Sequence, residues 1–168
     1  MTNGSFIDKR GGTMPVDVLI IGAGPTGLAL ALWLTRQNIG VRIIDKSAQP
    51  GESSRALAVH ARTLELYRQL DLAEPTVAAG HPNLQMNLWV GGKRKARISF
   101  GDAGSGFTPY PFILVYPQDR HERLLIAKLE ALGVRVERQT ELLDFEDSGS
   151  AVTARLRLPD GTEQLCEA

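Results

Sequence analysis

The segment Val16-Asp17-Val18-Leu19-Ile20-Ile21-Gly22-Ala23-Gly24-Pro25-Thr26-Gly27 is an apolar run that breaks into glycines and reopens as an apolar-periodic stretch. This pattern predicts a strand, a tight turn and a helix. Glycines at this spacing have separate tasks. Gly22 makes the turn, Gly24 lets backbone approach a pyrophosphate, and Gly27 lets helix and strand pack closely. A helix that opens here presents unpaired N–H groups and the positive end of its dipole to phosphate. Pro25 suits the first helical position, where a missing N–H costs little and φ is already helical.

Leu28, Ala31, Leu32 and Thr35 share one face of the predicted helix, and Asn38 to Gly40 supply its stop. The next strand, Val41 to Ile44, ends on Asp45, 18 positions past Gly27. An acidic residue at about this distance accepts the hydroxyls of an adenosine ribose and repels a 2′-phosphate. The alternative is a carboxylate that only caps a strand at the surface. The unit is therefore read as a site for the ADP half of FAD or NAD, formed by Gly22, Ala23, Gly24, Pro25, Thr26, Gly27, Asp45 and the adjoining Lys46.

Charge narrows the partners. Lys and Arg number 19 and so do Asp and Glu, so no basic field points to nucleic acid or an anionic membrane. Hydrophobic residues make up 43% of the 168, enough for the core of one ordinary domain. The single cysteine, Cys166, excludes an internal disulfide framework and reads as a small strand residue. His60, His81 and His121 are scattered without ligand spacing and read as ordinary surface or helix residues, so no metal site is expected. No apolar run approaches the roughly 18 residues of a membrane span, and the first residues lack a signal-peptide core. A cytoplasmic location is the default expectation.

Residues 1–14 are polar, carry no periodicity and read as a flexible leader, leaving 15–168 as one domain. Past Asp45 comes a polar loop to Ser54. A second helix is expected over Arg62 to Leu70, with Leu64, Tyr67 and Leu70 inward. Alternation in Leu84, Met86, Leu88 and Val90, then in Ala96, Ile98 and Phe100 after Gly91-Gly92, predicts a hairpin over 84–100. Trp89 and Phe100 are expected to cover this small sheet, and Lys93, Arg94, Lys95 and Arg97 to form its solvated tip. Asp102 to Pro111 reads as loop. A third helix follows Pro117, with Asp119 as cap and Glu122 returning the bond. Its buried face is Leu125, Leu129 and Leu132, and Gly133 ends it. Val134 to Glu137 reads as a strand. Leu142 to Phe145, Ala151 to Leu158 and Thr162 to Cys166 then form a meander turning at Ser148-Gly149 and Asp160-Gly161.

The opening motif resembles a known family when taken with three further segments. They are Ser54-Arg55-Ala56 leading into Arg62-Thr63-Leu64-Glu65, Tyr116-Pro117-Gln118 with Glu122 and Leu125, and Gly133-Val134. Together they resemble FAD-dependent aromatic hydroxylases, single-component flavoprotein monooxygenases similar to para-hydroxybenzoate and phenol hydroxylases. The resemblance runs from Val16 onward. It implies an α/β fold with a Rossmann-like FAD-binding βαβ unit, an inserted hairpin of the substrate-covering region and a β-meander. It also implies that Arg55 reaches the FAD pyrophosphate or ribityl region and that Gln118 hydrogen-bonds the ribityl chain or diphosphate. Taken alone, Arg55 reads equally as a loop salt bridge and Gln118 as a surface residue.

The implied chemistry is flavin reduction by NADH or NADPH, addition of O2 to give a C4a-hydroperoxide, and attack on an aromatic or phenolic ring. No residue is nominated as acid or base. Family members continue into a Gly-x-Asp-Gly segment and a Gly-Asp segment, neither of which lies within residues 1–168. The resemblance therefore implies the N-terminal portion of a hydroxylase, cut before the rest of the FAD and substrate domains, with little turnover alone. A stand-alone dinucleotide-binding module, and a halogenase or reductase of the same architecture, are the alternatives.

Overall fold

The computed structural model describes residues 14–51 and 57–168. The elements are, in chain order, β1 (Met14–Pro15), β2 (Val18–Ile21), α1 (Pro25–Arg36), β3 (Val41–Asp45), β4 (Ala58–Val59), α2 (Ala61–Arg68), α3 (Ala73–Ala79) and β5 (His81–Asn83). They continue with β6 (Gln85–Val90), β7 (Lys93–Ser99), α4 (Phe100–Gly104), β8 (Ile113–Val115), α5 (Gln118–Ala131), β9 (Val136–Arg138), β10 (Glu141–Asp147), β11 (Val152–Arg157) and β12 (Glu163–Glu167). The chain divides into two compact units. One combines the described parts of Met1–Glu52 with Glu122–Ala168, and the other is the described part of Ser53–His121.

The first unit is the α/β unit. Its parallel sheet has the order β2-β3-β9, and β2-α1-β3 is the crossover that the glycine motif predicts. Ile43 and Ile44 are both fully buried, as expected of a central strand covered on both faces. Ile44 packs on Ala154, Leu156 and Cys166 of a second sheet, ordered β1-β12-β11-β10, with Val16, Leu19 and Leu142 around them. Leu28, Ala31 and Leu32 form the buried stripe of α1. Arg42 links the two sheets. Its Nε and Nη2 donate to both oxygens of Glu137 at 3.0 and 2.8 Å, and Nη2 also donates to Gln164 Oε1 at 2.8 Å.

The meander turns at Gly149 and Gly161, both with φ near +80° (81° and 83°), and Cys166 is a buried strand residue. Several expectations need correction. Met14, placed at the end of a leader, forms with Pro15 a short strand that pairs in parallel with Cys166 and Glu167. The ninth strand starts later than Val134 and includes Arg138. Helix α5 begins at Gln118, so Asp119 lies inside its first turn and favours the dipole there instead of capping it. Glu122 is buried and accepts from the Gly51 N–H at 3.2 Å, a long-range bond that sequence spacing does not announce. Leu125 and Leu129 are fully buried, but Leu132 is exposed because the helix has ended one residue before it.

The second unit holds an antiparallel sheet ordered β4-β8-β5, the helices α2, α3 and α4, and the β6–β7 hairpin. Neither α3, which keeps Pro75 in its first turn, nor α4, which starts at the last residue of the expected hairpin and runs into the stretch read as loop, was expected. Leu64, Tyr67 and Leu70 are buried as the α2 period requires. Gly91 and Gly92 turn the hairpin with φ of 57° and 72°, the paired positive values of a tight two-residue turn. Trp89 is 62% exposed, so it does not cover the sheet. The four basic residues at the tip are exposed.

His121 is not a surface residue. It is buried, and its Nε2 lies 2.9 Å from the Tyr67 hydroxyl, with the Tyr116 ring 5.5 Å away between centroids. Burial pushes the Tyr67 hydroxyl up to about 12.

Candidate functional site

The turn between β2 and α1 is built by backbone geometry that few side chains permit. Gly22 has φ of 99°, a left-handed value, and its N–H donates to the Ile44 carbonyl at 2.8 Å. A Cβ on Gly27 would sit 2.1 Å from the Gly22 carbonyl oxygen, so the helix approaches the turn as closely as glycine alone allows. Gly24 differs. Its backbone is extended, and a Cβ there would meet nothing within 4 Å, so hydrogen leaves open space where a ligand would come in.

Gly24 is the N-cap of α1 and Pro25 its first residue, yet no side chain caps this helix end and no acidic residue lies in its first turn. The N–H groups at such an end need a partner, and an anion is the natural one. A cavity of about 500 Å³ runs along this end, lined among others by Ile21, Gly22, Gly24, Thr26, Gly27 and Leu30.

At the end of β3, Asp45 reaches back to the turn. Its Oδ2 accepts from the Ala23 N–H at 2.7 Å, and its Oδ1 accepts from the Ser47 N–H at 2.8 Å. Nη1 of Arg138, at the end of β9, lies 3.7 Å from Oδ2. Burial acts to raise the Asp45 carboxyl, but the Ala23 and Ser47 hydrogen bonds and the Arg138 charge outweigh it and hold the group below its ordinary value. Asp45 is therefore an ionised acceptor beside the glycine turn, at the carboxyl ends of the parallel strands where open α/β sheets bind ligands.

Lys46 and Ser47 line a second cavity of about 630 Å³ with Gln139, Glu141 and Arg157. Gln118 is the first residue of α5 and belongs to the second unit, whereas the turn and Asp45 belong to the first. Arg55 lies outside the described residues. Arg138 and Ser47 escaped sequence reasoning. Ser47 is two residues from Asp45 in a loop, and Arg138 becomes its neighbour only through the β3–β9 register, where the two are Cα partners. The only available signal was an acidic strand end and a basic strand end in one parallel sheet. Among the described residues no group of His, Cys, Asp and Glu converges as a metal would need, and no helix is long and apolar enough to cross a membrane.

The parallel strands, the crossover helix and the glycine turn give the architecture of a dinucleotide-binding α/β unit. The chain belongs to the FAD binding domain family, which it matches over residues 15–168. Over 150 residues it is 43% identical to 6-methylpretetramide 4-monooxygenase of Streptomyces rimosus, covering 88% of this chain and 26% of that enzyme. It is 31% identical to pentachlorophenol 4-monooxygenase of Sphingobium chlorophenolicum, covering 94% of this chain and 29% of the relative. The anhydrotetracycline hydroxylase OxyS from Streptomyces rimosus superimposes with a TM-score of 0.77 at 32% identity, over 92% of this chain and 30% of that one. The fold is also that of p-nitrophenol 4-monooxygenase from Pseudomonas putida, with a TM-score of 0.86 at 20% identity over 93% of this chain and 40% of that one. These relatives are monooxygenases, and the chain spans under a third of the curated ones cited here.

Proposed function

We propose that this chain binds the ADP half of FAD and serves as the N-terminal part of a monooxygenase that hydroxylates aromatic or phenolic substrates. The observation that carries the reading is the joint geometry of the uncapped α1 terminus and the Asp45 carboxylate beside it. Phosphate oxygens would accept from the N–H groups of Gly24, Thr26 and Gly27, with the open space above Gly24 allowing close approach. Asp45 would accept from the adenosine ribose. Gln118 and Arg55 are assigned to the ribityl and pyrophosphate regions on the strength of the family resemblance.

When bound, FAD would supply the redox chemistry, with NADH or NADPH as electron donor and O2 as oxidant. This chain's residues bind the adenosine diphosphate end and fix its position. The names of the relatives, which include a pretetramide and a chlorinated phenol oxygenase, support a phenolic or fused aromatic substrate.

Titration of the chain with FAD and with ADP, followed by calorimetry, tests the binding. Saturable binding of both at similar affinity is expected, because the contacts lie on the shared half. Binding of neither would refute the site. For the whole protein, O2 uptake that depends on a phenolic substrate and on reduced nicotinamide is expected, and uptake indifferent to the aromatic compound would refute the activity.

A further inference from the structure

Asp45 can serve as a ribose acceptor only if its carboxylate is held still. The terminal torsion of an aspartate is broad, so a carboxylate on one backbone hydrogen bond samples a wide arc. Each oxygen has room for two hydrogen bonds; the Ala23 N–H takes one on Oδ2 and the Ser47 N–H one on Oδ1, and the Ser47 side chain also hydrogen-bonds the carboxylate. Acceptor capacity remains for a ribose hydroxyl.

Arg138 supplies the charge beside this group. Its Nη1 lies 3.7 Å from Oδ2, with the side chains 19% and 16% exposed, so solvent screens the pair only partly. The backbone that carries the guanidinium is fixed. Arg138 is the Cα partner of Asp45 across β3–β9. Just beyond it Gln139 takes φ of 55°, sending its N–H to the Ser47 carbonyl at 3.3 Å, and the Thr140 N–H donates to the Asp45 carbonyl at 3.1 Å. The ends of the two strands are thus tied together on both sides of the ion pair. Nη2 of Arg138 is buried and has no hydrogen-bond partner among the described residues. A buried donor left unpaired is costly, and a group serving only to stabilise the strand ends would be cheaper as an apolar residue.

We propose that Arg138 is a positioning residue for ribose recognition, its guanidinium fixing the Asp45 carboxylate so that the remaining lone pairs meet the adenosine 2′-hydroxyl. The proposal rests on the reading of Asp45 as the ribose acceptor. Arg138 acts through Asp45, and burial keeps its Nη2 from a ligand.

ADP and 2′-deoxy-ADP are the probes, titrated by calorimetry against the chain and its Arg138→Met, Arg138→Lys and Asp45→Asn variants. A hydrogen bond to an ionised acceptor corresponds to roughly a tenfold preference for ADP over the deoxy analogue. We expect Arg138→Met, which keeps the length of the stem, to lose most of that preference while still binding the deoxy compound. Arg138→Lys, which keeps the charge, should retain it. In an Asp45→Asn background Arg138→Met should change the ratio no further, because the two act as one unit.

Equal weakening of both probes in Arg138→Met would overturn the proposal, since it would show a general structural loss. If Arg138→Met does not fold, a folded Arg138→Lys chain without the preference would overturn it equally. A parent chain that binds neither probe, or both alike, removes the ribose reading of Asp45 and the proposal with it. A parent chain with the preference and an unaltered ratio in Arg138→Met leaves that reading standing and removes only the role of Arg138.

Discussion

The Ala23 N–H donates to the Asp45 carboxylate at 2.7 Å, joining two residues 22 positions apart. The glycine turn and the Asp45 carboxylate are therefore parts of one hydrogen-bonded unit, and a change at one end is felt at the other. Asp45→Ala should weaken FAD and ADP binding by roughly tenfold or more, because an ionic acceptor and the support of the turn are lost together. Calorimetric titration of both nucleotides checks this.

The same carboxylate makes stability depend on acid. Its folded-state pKa lies below the ordinary value, so the unfolded chain binds more protons in the acid range. The stabilisation is complete above about pH 4, the unfolded value, and is lost as pH falls through the lower folded value. Urea midpoints measured from about pH 6 downward should fall less steeply for Asp45→Asn than for the parent.

Gly24 and Gly27 should respond in opposite ways to one added methyl. At Gly27 the Cβ would collide with the Gly22 carbonyl at 2.1 Å, so Gly27→Ala should cost about 3 kcal/mol, or a Tm lowered by roughly 10 °C. At Gly24 the methyl meets nothing, so Gly24→Ala should keep the parent Tm yet bind FAD at least about tenfold more weakly. Melting curves and FAD titrations of the two variants separate the roles.

Tyr67 should titrate late. The chain has 3 tyrosines, and burial leads the causes that raise Tyr67, Tyr110 and Tyr116, with Tyr67 reaching about 12. A group raised in the folded state contributes stability below its unfolded value of about 10 that is lost as pH climbs towards 12. Absorbance near 295 nm, a tyrosinate band, should therefore rise late, together with unfolding. Tyr67→Phe should flatten the alkaline loss while lowering stability at neutral pH by about 1 kcal/mol, through the missing bond to His121.

Glu137→Ala should destabilise the first unit by about 2 kcal/mol. It leaves the Arg42 side chain, only 12% exposed, without its bidentate partner where it joins the two sheets. Gln164 Oε1 and the Cys166 side chain then remain as its partners. Chemical denaturation of the variant measures the loss.

What could be read from the sequence was local. The glycine turn was legible because a positive φ at Gly22 and a close approach at Gly27 are demands on single residues. The α1 stripe and the meander were legible because their periods, 3.6 and 2, are written in consecutive residues. The partners that complete the candidate site were not. Arg138 meets Asp45 through strand register, and Glu122 meets Gly51 through a fold that carries the chain away and back. His121 looked ordinary because nothing near it in sequence announces Tyr67. Helix α3 was hidden by Pro75, which reads as a breaker but is tolerated in a first turn.

The pairing of Met14 and Pro15 with Cys166 and Glu167 sets an order on how the protein can be made. A ribosome adding about 5 to 20 residues each second leaves β1 waiting for roughly 10 to 30 s before its mate exists. Through that interval β2 and β3 can meet, but the strand that closes the neighbouring sheet has yet to be translated. The first unit is thus assembled from two segments far apart along the chain, and the stretch that forms the second unit is made in the interval between them.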